Sequence, residues 1–436
     1  MRSALSVSDG VESRRPCTEA SSWPSLKDFS LYLKQLLSLP YPYELFRAFK
    51  FRRIKQVISV VMLTPAITVE SPGAPFKYQN VELDDQMRDD EVHVRIKATG
   101  ICHTDVKFSQ EDKMPDMFPG VMGHEGAGIV QAVGPKVTSV QAGDHVIVVF
   151  TCCGECRYCE MKMTGYCDVW FQYNFGAGRL DGSKAFKFPN GGRRVCSHFF
   201  GQSSFARDVY VKQTGLVKIE DKSIPFEKLA PLACGLMTGA GGMLNVIQPT
   251  SDMSVAVVGT GSVGLAAIMA LKLLPKPPRR IIAVDIVPSR LELARSFGAT
   301  HGVNSKVRTN LMEVLLDITD GRGVDGSIDA TGRADVIQNL VHSTARKGKV
   351  VTIGTGGTQA EVTLNLFEMV QAGCSYIGCQ QGDAYPQEFL PRLLEAHRDG
   401  KFPYDKLIKT YSAKDVARAV HDMEQGETIK PVLMWD

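Results

Sequence analysis

Five of the chain's eleven cysteines lie within the sixteen residues CCGECRYCEMKMTGYC, residues 152–167. Cys153, Cys156, Cys159 and Cys167 follow the spacing CxxCxxCx7C. Four thiolates suit a closed, tetrahedral structural zinc site, because two cysteines three residues apart can bend around one ion. A redox disulfide is the main alternative, although a lone CxxC pair is its usual mark. We therefore predict a structural zinc lobe at 153–167, with Cys152 as a small buried neighbour.

A second group of side chains, found in GICHTD, GHEGAG and PLACGLMTGAGG, could also bind a metal: Cys102, His103, Asp105, His124, Glu125 and Cys234. Taken singly, a Cys or His in a β domain is more often a packing residue than a metal ligand. Two cysteines and one histidine would leave the fourth zinc position open for a substrate, as in catalytic zinc sites. The chain therefore has candidates for two different kinds of zinc site.

The stretch SVAVVGTGSVGLAAI indicates a dinucleotide site. Gly259, Gly261 and Gly264 form a GxGxxG pattern between an apolar strand and a helix, and Asp285 ends the next strand. The glycines permit a tight turn and close approach of the pyrophosphate to the backbone, while an acidic residue at this spacing binds the ribose hydroxyls. A carboxylate repels a 2′-phosphate, so NAD is favoured over NADP, although Arg290 nearby complicates that choice.

The elements that must position these residues change in character along the chain. From about residue 62 to 220, short runs such as EVHVRIKATG and DHVIVVF are separated by Gly, Pro and Asp turns, which predicts a mostly β domain. From about 236, strands such as RIIAVD alternate with helical stretches such as PSRLELARSFG, which predicts a doubly wound parallel sheet. After residue 379 two amphipathic helices and the strand-like KPVLMW follow. The predicted fold class is therefore α/β.

Charge and hydropathy exclude several functions. Residues 1–61 carry ten Lys and Arg against five Asp and Glu, and the remainder carries 40 against 42, so no basic surface for nucleic acid is expected. The uncharged run QVISVVMLTPAITV has 14 residues and a proline, whereas a membrane span needs roughly 20 residues. The chain's start lacks the order of a secretory signal. For residues 1–61, a targeting segment, a surface helix and a true start near Met62 remain open.

From about residue 62 to 436, the chain resembles the zinc-dependent alcohol dehydrogenases of the medium-chain dehydrogenase/reductase family. The resemblance lies in GICHTD, GHEGAG, the four-cysteine lobe, CGLMTGAG, VVGTGSVG, AVD and GETIKPVL, in family order. NFGAGRLDGS and HFFGQSSFA further resemble the aryl (benzyl) alcohol dehydrogenases. The resemblance implies an N-terminal extension at 1–61, a GroES-like catalytic domain at 62–235, a Rossmann NAD-binding domain at 236–379 and a return to the catalytic domain at 380–436.

By position, the resemblance assigns a role to each candidate residue. Catalytic zinc would be bound by Cys102, His124 and Cys234, with Glu125 behind the ion and Asp105 fixing the histidine tautomer. Thr104 would contact the alcohol oxygen and begin the proton path. The remaining implied contacts are with NAD: His103 and Lys430 at the pyrophosphate, Thr238 near the nicotinamide, and Gly259, Gly261, Gly264, Asp285 and Arg290 along the dinucleotide.

One position departs from the family pattern. Lys107 stands where many members have a histidine that passes the proton to solvent. A lysine could do so only with a depressed pKa; otherwise it would face the cofactor ribose or solvent, and water would carry the proton.

The expected reaction is reversible, NAD-linked oxidation of a primary alcohol to an aldehyde, with two zinc ions per chain. Four aromatic residues could line a pocket for an aryl or allylic alcohol, or could be ordinary core: Phe150, Trp170, Phe171 and Phe175. Small aliphatic alcohols, polyols and secondary-metabolite alcohols remain alternatives. So do a zinc-independent reductase of this fold and a non-catalytic NAD- and zinc-binding protein. A homodimer or homotetramer and a cytoplasmic location are expected, with organelle targeting left open by the extension.

Overall fold

The computed structural model describes residues 62–356 and 360–436, so the predicted N-terminal extension at 1–61 lies outside the described residues. Within the described ranges the strands form three sheets. The first sheet has the order β4-β1-β2-β7-β8 and comprises β1 (Met62–Val69), β2 (Lys77–Leu83), β4 (Gly120–Val121), β7 (Phe186–Lys187) and β8 (Arg194–Val195).

The second sheet joins the beginning and the end of the described chain. It has the order β10-β6-β5-β3-β18-β17, with β9 also paired to β3. Its strands are β3 (Glu91–Gly100), β5 (Gly126–Val133), β6 (His145–Val148), β9 (Asp208–Lys212), β10 (Leu216–Ile219), β17 (Ile408–Ser412) and β18 (Lys430–Met434). Because β18 pairs antiparallel with β3, the C-terminal strand lies beside the strand that leads to Cys102.

The third sheet is parallel throughout, in the order β13-β12-β11-β14-β15-β16. Its strands are β11 (Ser254–Val258), β12 (Arg280–Asp285), β13 (His301–Asn304), β14 (Val324–Asp329), β15 (Thr344–Thr352) and β16 (Ser375–Gly378). All five residues of β11 are buried, as expected for a central parallel strand covered on both faces.

The α-helices of the described residues fall between these strands. They are α1 (His103–Ser109), α2 (Arg157–Glu160), α3 (Trp170–Phe175), α4 (Phe226–Leu229), α5 (Gly235–Gly241), α6 (Ser262–Ala270), α7 (Pro288–Ser296), α8 (Leu311–Ile318), α9 (Ala334–His342), α10 (Leu366–Ala372), α11 (Pro386–Arg398) and α12 (Val416–Glu424). A π-helical segment, Gly242–Ile247, continues α5. The mostly β part and the parallel sheet with its helices confirm the predicted α/β class.

No single helix in the described ranges is long and apolar enough to cross a membrane. The neighbouring helical segments Phe226–Ala233 and Gly235–Ile247 reach the necessary length and hydropathy only as a pair, and they are bent by 56°.

Candidate active site

Four predicted residues bring their metal-ligating atoms into one cluster. The ligand atoms of Cys102, His124, Glu125 and Cys234 all lie within 4.8 Å of one another. Cys102 precedes α1, the two middle residues lie between β4 and β5, and Cys234 precedes α5. Residues distant in sequence therefore form one compact donor set.

Asp105 holds two members of this cluster in place. Its Oδ1 accepts hydrogen bonds from His124 Nδ1 at 2.8 Å and from Gly123 N at 3.0 Å, and its Oδ2 accepts from Cys102 N at 2.9 Å. Burial alone would lower the pKa of His124, but the Asp105 carboxylate raises it well above its usual value. Because Nδ1 donates to a carboxylate, Nε2 is the ring nitrogen that faces the cluster, and it would ligate a metal once it loses its proton.

Glu125 forms a buried ion pair that the sequence did not predict. Lys430 Nζ donates to the two oxygens of Glu125 at 2.8 and 3.0 Å, and to Ile101 O at 3.3 Å. Burial raises the pKa of Glu125 to about 7, and the Lys430 ammonium opposes this rise. All three ammonium protons of Lys430 thus have acceptors. The contact of Lys430 with the pyrophosphate stays a prediction; the ammonium group is paired with Glu125, and β18, which carries Lys430, pairs with β3.

The two thiols of the cluster differ in acidity. A hydrogen bond from the Cys234 thiol lowers the pKa of Cys102 well below its usual value, and His124 acts in the same direction against the effect of burial. The pKa of Cys234 is raised well above its usual value by Cys102 and by burial. The Cys234 thiol therefore stabilises the thiolate form of Cys102.

A cavity of about 860 Å³ leads from Cys102 to the parallel sheet. Its lining includes eight further predicted site residues: His103, Thr104, Gly259, Gly261, Gly264, Asp285, Arg290 and Lys107. Thr104 Oγ1 lies 3.5 Å from Cys102 Sγ. The cavity therefore connects the predicted zinc site with the predicted dinucleotide site.

The glycine motif has the shape that a dinucleotide requires. Gly259 has a φ of +87°, and a Cβ at Gly264 would lie 2.0 Å from the Gly259 carbonyl oxygen. A Cβ at Gly261 would meet nothing within 4 Å, so its backbone borders open space in the cavity. Since Gly261 caps the N-terminus of α6, this space suits a pyrophosphate.

Asp285 and Arg290, at the predicted ribose end of the cavity, differ in how many of their polar atoms already have hydrogen-bond partners. Asp285 Oδ2 accepts hydrogen bonds from Thr260 N at 2.7 Å and Thr260 Oγ1 at 2.8 Å, and Oδ1 accepts from Val287 N at 2.9 Å. Arg290 Nε is buried with no hydrogen-bond partner among the described residues. Asp285 is thus held rigidly, while Arg290 retains a donor in the cavity wall.

Thr238 and Lys107 make contacts that were not predicted. Thr238 lies outside the cavity lining; its hydroxyl donates to Cys234 O at 2.8 Å and lies 3.5 Å from Gln381 Oε1. Lys107 Nζ donates to Thr355 Oγ1 at 3.4 Å, on the loop after β15. Thr238 therefore supports the backbone of a candidate ligand, and Lys107 spans the cavity from α1.

Aromatic side chains surround the imidazole of His124. Phe200 stacks on it with ring centroids 4.4 Å apart, and Phe199 meets it edge-on at 5.7 Å. Phe175 stacks on Phe108 at 4.7 Å and lies 5.0 Å from Phe200. We call Phe108, Trp170, Phe175, Phe199 and Phe200 the aromatic cluster.

Sequence reasoning found part of the aromatic cluster. Trp170 and Phe175 belong to it, whereas Phe171 is largely exposed and Phe150 is core that contacts Trp170. Phe108, Phe199 and Phe200, which pack with these rings in the core, were not predicted. The spacing of Phe108, four residues after Thr104 on the same helix face, could have revealed it.

The four predicted lobe cysteines also come together, with all four Sγ atoms within 4.8 Å of one another. Backbone N–H groups of Glu155 and Cys156 donate to Cys153 Sγ at 3.4 and 3.2 Å. A hydrogen bond from the backbone of Asp168 lowers the pKa of Cys156 to about 6. Cys152 is buried beside the lobe, as predicted.

Both donor sets fit zinc. His124 Nε2 is a buried nitrogen with no hydrogen-bond partner among the described residues, in a cluster that otherwise offers two sulfurs and the Glu125 carboxylate, which is paired with Lys430. The lobe offers four sulfurs, and backbone N–H groups donate to those of Cys153 and Cys167. The first set suits an open catalytic site and the second a closed structural site.

Comparisons with known proteins show the family to which the chain belongs. The family model of the alcohol dehydrogenase GroES-like domain matches residues 88–221, and that of the zinc-binding dehydrogenase matches residues 262–396. Geraniol dehydrogenase of Castellaniella defragrans is 35% identical over 371 residues, which cover 85% of this chain and 97% of the relative. The chain belongs to the zinc-dependent alcohol dehydrogenase family.

Two further relatives are similar to this dehydrogenase over most of its length. S-(hydroxymethyl)glutathione dehydrogenase of Paracoccus denitrificans is 32% identical, with 86% of this chain and 100% of the relative covered. The crystal structure of benzyl alcohol dehydrogenase from Acinetobacter calcoaceticus gives a TM-score of 0.80 at 35% identity, covering 86% of this chain and 100% of that one. The predicted zinc- and NAD-dependent oxidoreductase acting on CH–OH groups is thereby confirmed.

Proposed function

We propose that this dehydrogenase oxidises aryl or allylic primary alcohols to aldehydes, reversibly and with NAD. The aromatic cluster against His124 is the observation that carries the proposal, because stacked and edge-on rings favour a planar, conjugated substrate. The names of two similar proteins, benzyl alcohol dehydrogenase and geraniol dehydrogenase, support it.

We assign catalytic zinc to Cys102, His124 and Cys234, structural zinc to the lobe, and NAD to the cavity above Gly261. When bound, zinc would polarise the alcohol oxygen and NAD would accept the hydride. The chain's own residues do the remaining work. Asp105 keeps His124 Nε2 directed at the cluster, and Phe199 and Phe200 pack against the His124 ring.

Thr104 Oγ1 is the hydroxyl that we expect to take up the alcohol proton, since it lines the cavity beside Cys102. Lys107 already donates to Thr355, so we assign it to holding the cofactor loop, and water carries the proton onward. A lysine ammonium group has no lone pair, so it cannot itself receive that proton.

A substrate panel tests the proposed specificity. We expect kcat/KM with NAD to be higher for benzyl and cinnamyl alcohol than for ethanol or 1-hexanol, and higher with NAD than with NADP. A preference for ethanol or for S-(hydroxymethyl)glutathione would contradict the proposal.

A variant within the aromatic cluster tests its role in that preference. Phe175→Leu should lower kcat/KM for benzyl alcohol roughly three- to tenfold, the value of an aromatic pair, and leave that for 1-hexanol nearly unchanged. Phe171→Leu is the matched control, because Phe171 lies on the same helix but is largely exposed. An equal loss for both alcohols in Phe175→Leu would refute the role.

We further infer that the enzyme is a homodimer or homotetramer. Leu366, Phe367 and Val370 on α10 expose large apolar side chains, and β16 is the outer strand of the parallel sheet. An apolar patch beside an open strand edge is suited to pairing with a second copy about a twofold axis.

We also infer a cytoplasmic location. The ten described cysteines are all free, and seven of them lie in or beside the two clusters, where metal binding needs reduced thiols. Fractionation of cells that express the tagged full chain would check this, and enrichment in an organelle would contradict it.

A further inference from the structure

Three consecutive residues after β16 have a left-handed backbone. Gln381, Gly382 and Asp383 have φ values of +55°, +71° and +47°. Two of them carry a Cβ, so the segment costs of order 1 to 3 kcal/mol per strained residue and persists only when its surroundings hold it. We call Gln380–Asp383 the strained segment.

One side of the strained segment packs on α5. A Cβ at Gly382 would lie 2.8 Å from the carbonyl oxygens of Met237 and Thr238, so only glycine fits here without movement. Asn245 Nδ2 donates to Gly382 O at 3.0 Å and lies 3.3 Å from Asp383 O. The segment is thereby fixed against the helix that begins directly after Cys234.

The other side of the strained segment is bonded to the four-cysteine lobe. Tyr166 Oη donates to Asp383 Oδ1 at 2.6 Å and accepts from Gln380 N at 3.1 Å. Tyr166 lies directly before Cys167, the last sulfur of the lobe. A second link outside the segment joins Lys162 Nζ to Glu388 Oε1 at 2.5 Å.

We propose that Tyr166 is a positioning residue that couples the structural zinc lobe to the catalytic ligand Cys234. The contacts run from Cys167 through the Tyr166 hydroxyl to Asp383, then through Gly382 to the carbonyls of α5. The lobe holds the strained segment in place. The strained segment in turn fixes the start of α5, and with it the position of Cys234 relative to Cys102 and His124. The proposal rests on the assignment of two zinc sites under the proposed function.

The test is zinc release from the full-length holoenzyme to an excess of a chromophoric chelator. We expect zinc release in two phases, a faster one from the open catalytic site and a slower one from the lobe. Cys102→Ser removes a proposed catalytic ligand, so the phase that disappears in this variant is the catalytic one. In Tyr166→Phe the catalytic phase should accelerate roughly tenfold, as expected for loss of a hydrogen bond to a charged group, while the lobe phase stays as in the wild type.

Tyr158→Phe is the matched control, because Tyr158 belongs to the same lobe and its ring is more than one-third exposed. It should release both ions at wild-type rates. Asp383→Asn keeps an acceptor for Tyr166 and should accelerate the catalytic phase less than Tyr166→Phe; it keeps the proposal testable if Tyr166→Phe does not fold. With cobalt in the catalytic site, the ligand-field absorption bands should shift in Tyr166→Phe and not in Tyr158→Phe.

Unchanged release from Tyr166→Phe, equal acceleration of both phases, or acceleration of the lobe phase alone would each overturn the coupling. A wild-type enzyme with one zinc ion per chain would instead contradict the two-site assignment itself. Zinc release is measured without any alcohol, so the release experiment does not depend on the substrate panel. A panel that contradicts the proposed substrate preference would not affect the test of the coupling.

Discussion

At the residue scale, Asp105 positions two residues of the proposed catalytic zinc site, although it offers the metal no ligand atom itself. One carboxylate oxygen orients the ring of His124, and the other holds the backbone of Cys102. Partners of this kind fix the tautomer of a histidine ligand and raise its basicity. The metal affinity of the cluster should therefore depend on a residue that offers the metal no atom.

Asp105→Asn should weaken zinc binding at the catalytic site by roughly 10- to 100-fold, because an amide holds the His124 N–H less strongly than a carboxylate. Zinc affinity measured by chelator competition at fixed pH checks this, with the lobe ion as an internal reference. Asp112→Asn changes an exposed carboxylate in the loop after α1 and should leave the affinity unchanged. Equal affinities for Asp105→Asn and the wild type would show that the hydrogen bond does not tune the ligand.

At the element scale, short-range patterns predicted the local structures well. The CxxCxxC spacing and GxGxxG depend on residues within one turn or one strand-to-helix junction, so a single stretch of sequence contains all of the geometry. Both stretches form the predicted structures.

Long-range contacts were not accessible from the sequence. The partner of Lys430 is Glu125, 305 residues away, and no local periodicity encodes that pairing. Phe200 reaches His124 from a backbone in which His198 and Phe200 both have positive φ, 65° and 51°. Neither a helical nor a strand period produces that conformation, so the aromatic cluster could be found only in part.

The N-terminus of β3 provides a prediction about stability, because this strand leads to the catalytic cluster. Glu91 accepts hydrogen bonds from Arg179 Nε at 2.6 Å and Nη2 at 3.0 Å, and His198 lies beside it. Burial alone would raise the pKa of Glu91, but His198 and Arg179 lower it to about 2 from 4.5. The ionised carboxylate therefore stabilises the fold above pH 4.5, and this contribution is lost as the pH falls toward 2.

Glu91→Gln should lower the free energy of unfolding at pH 7 by on the order of 3 kcal/mol, and the difference from the wild type should shrink to less than about half by pH 3. Urea unfolding of the wild type and the variant at pH 7, 4 and 3 measures the two free energies of unfolding. Because the proteins are compared at the same pH, any destabilisation from zinc loss that affects both does not enter the difference. Glu70→Gln removes the more exposed ion pair with Arg193 and should cost less than about 1 kcal/mol. A difference for Glu91→Gln that stays constant down to pH 3 would exclude the ionised carboxylate as its source.

At the scale of the whole molecule, the chain passes between its mostly β part and its parallel sheet near Cys234 and again near Gly382. These two crossings touch each other, since Asn245 donates to Gly382 O and Gly382 packs on α5. The cofactor cavity lies between the same two parts, with Cys102 on one side and Gly261 on the other. We therefore expect cofactor binding and the position of Cys234, the third proposed zinc ligand, to depend on the same junction.

The open end of the parallel sheet gives the prediction for assembly. Val370 is 81% exposed on α10, beside Leu366 at 80% and Phe367 at 71%. Val370→Asp introduces a charge that would have to be desolvated in a subunit interface, so sedimentation velocity should show a shift toward smaller species.

Val307→Asp is the matched control: Val307 is 77% exposed, but it follows β13 at the opposite edge of the sheet. Equal dissociation by both substitutions, or a monomeric wild type, would rule out α10 and β16 as the subunit interface. Loss of assembly confined to Val370→Asp would place the interface at the β16 edge of the sheet.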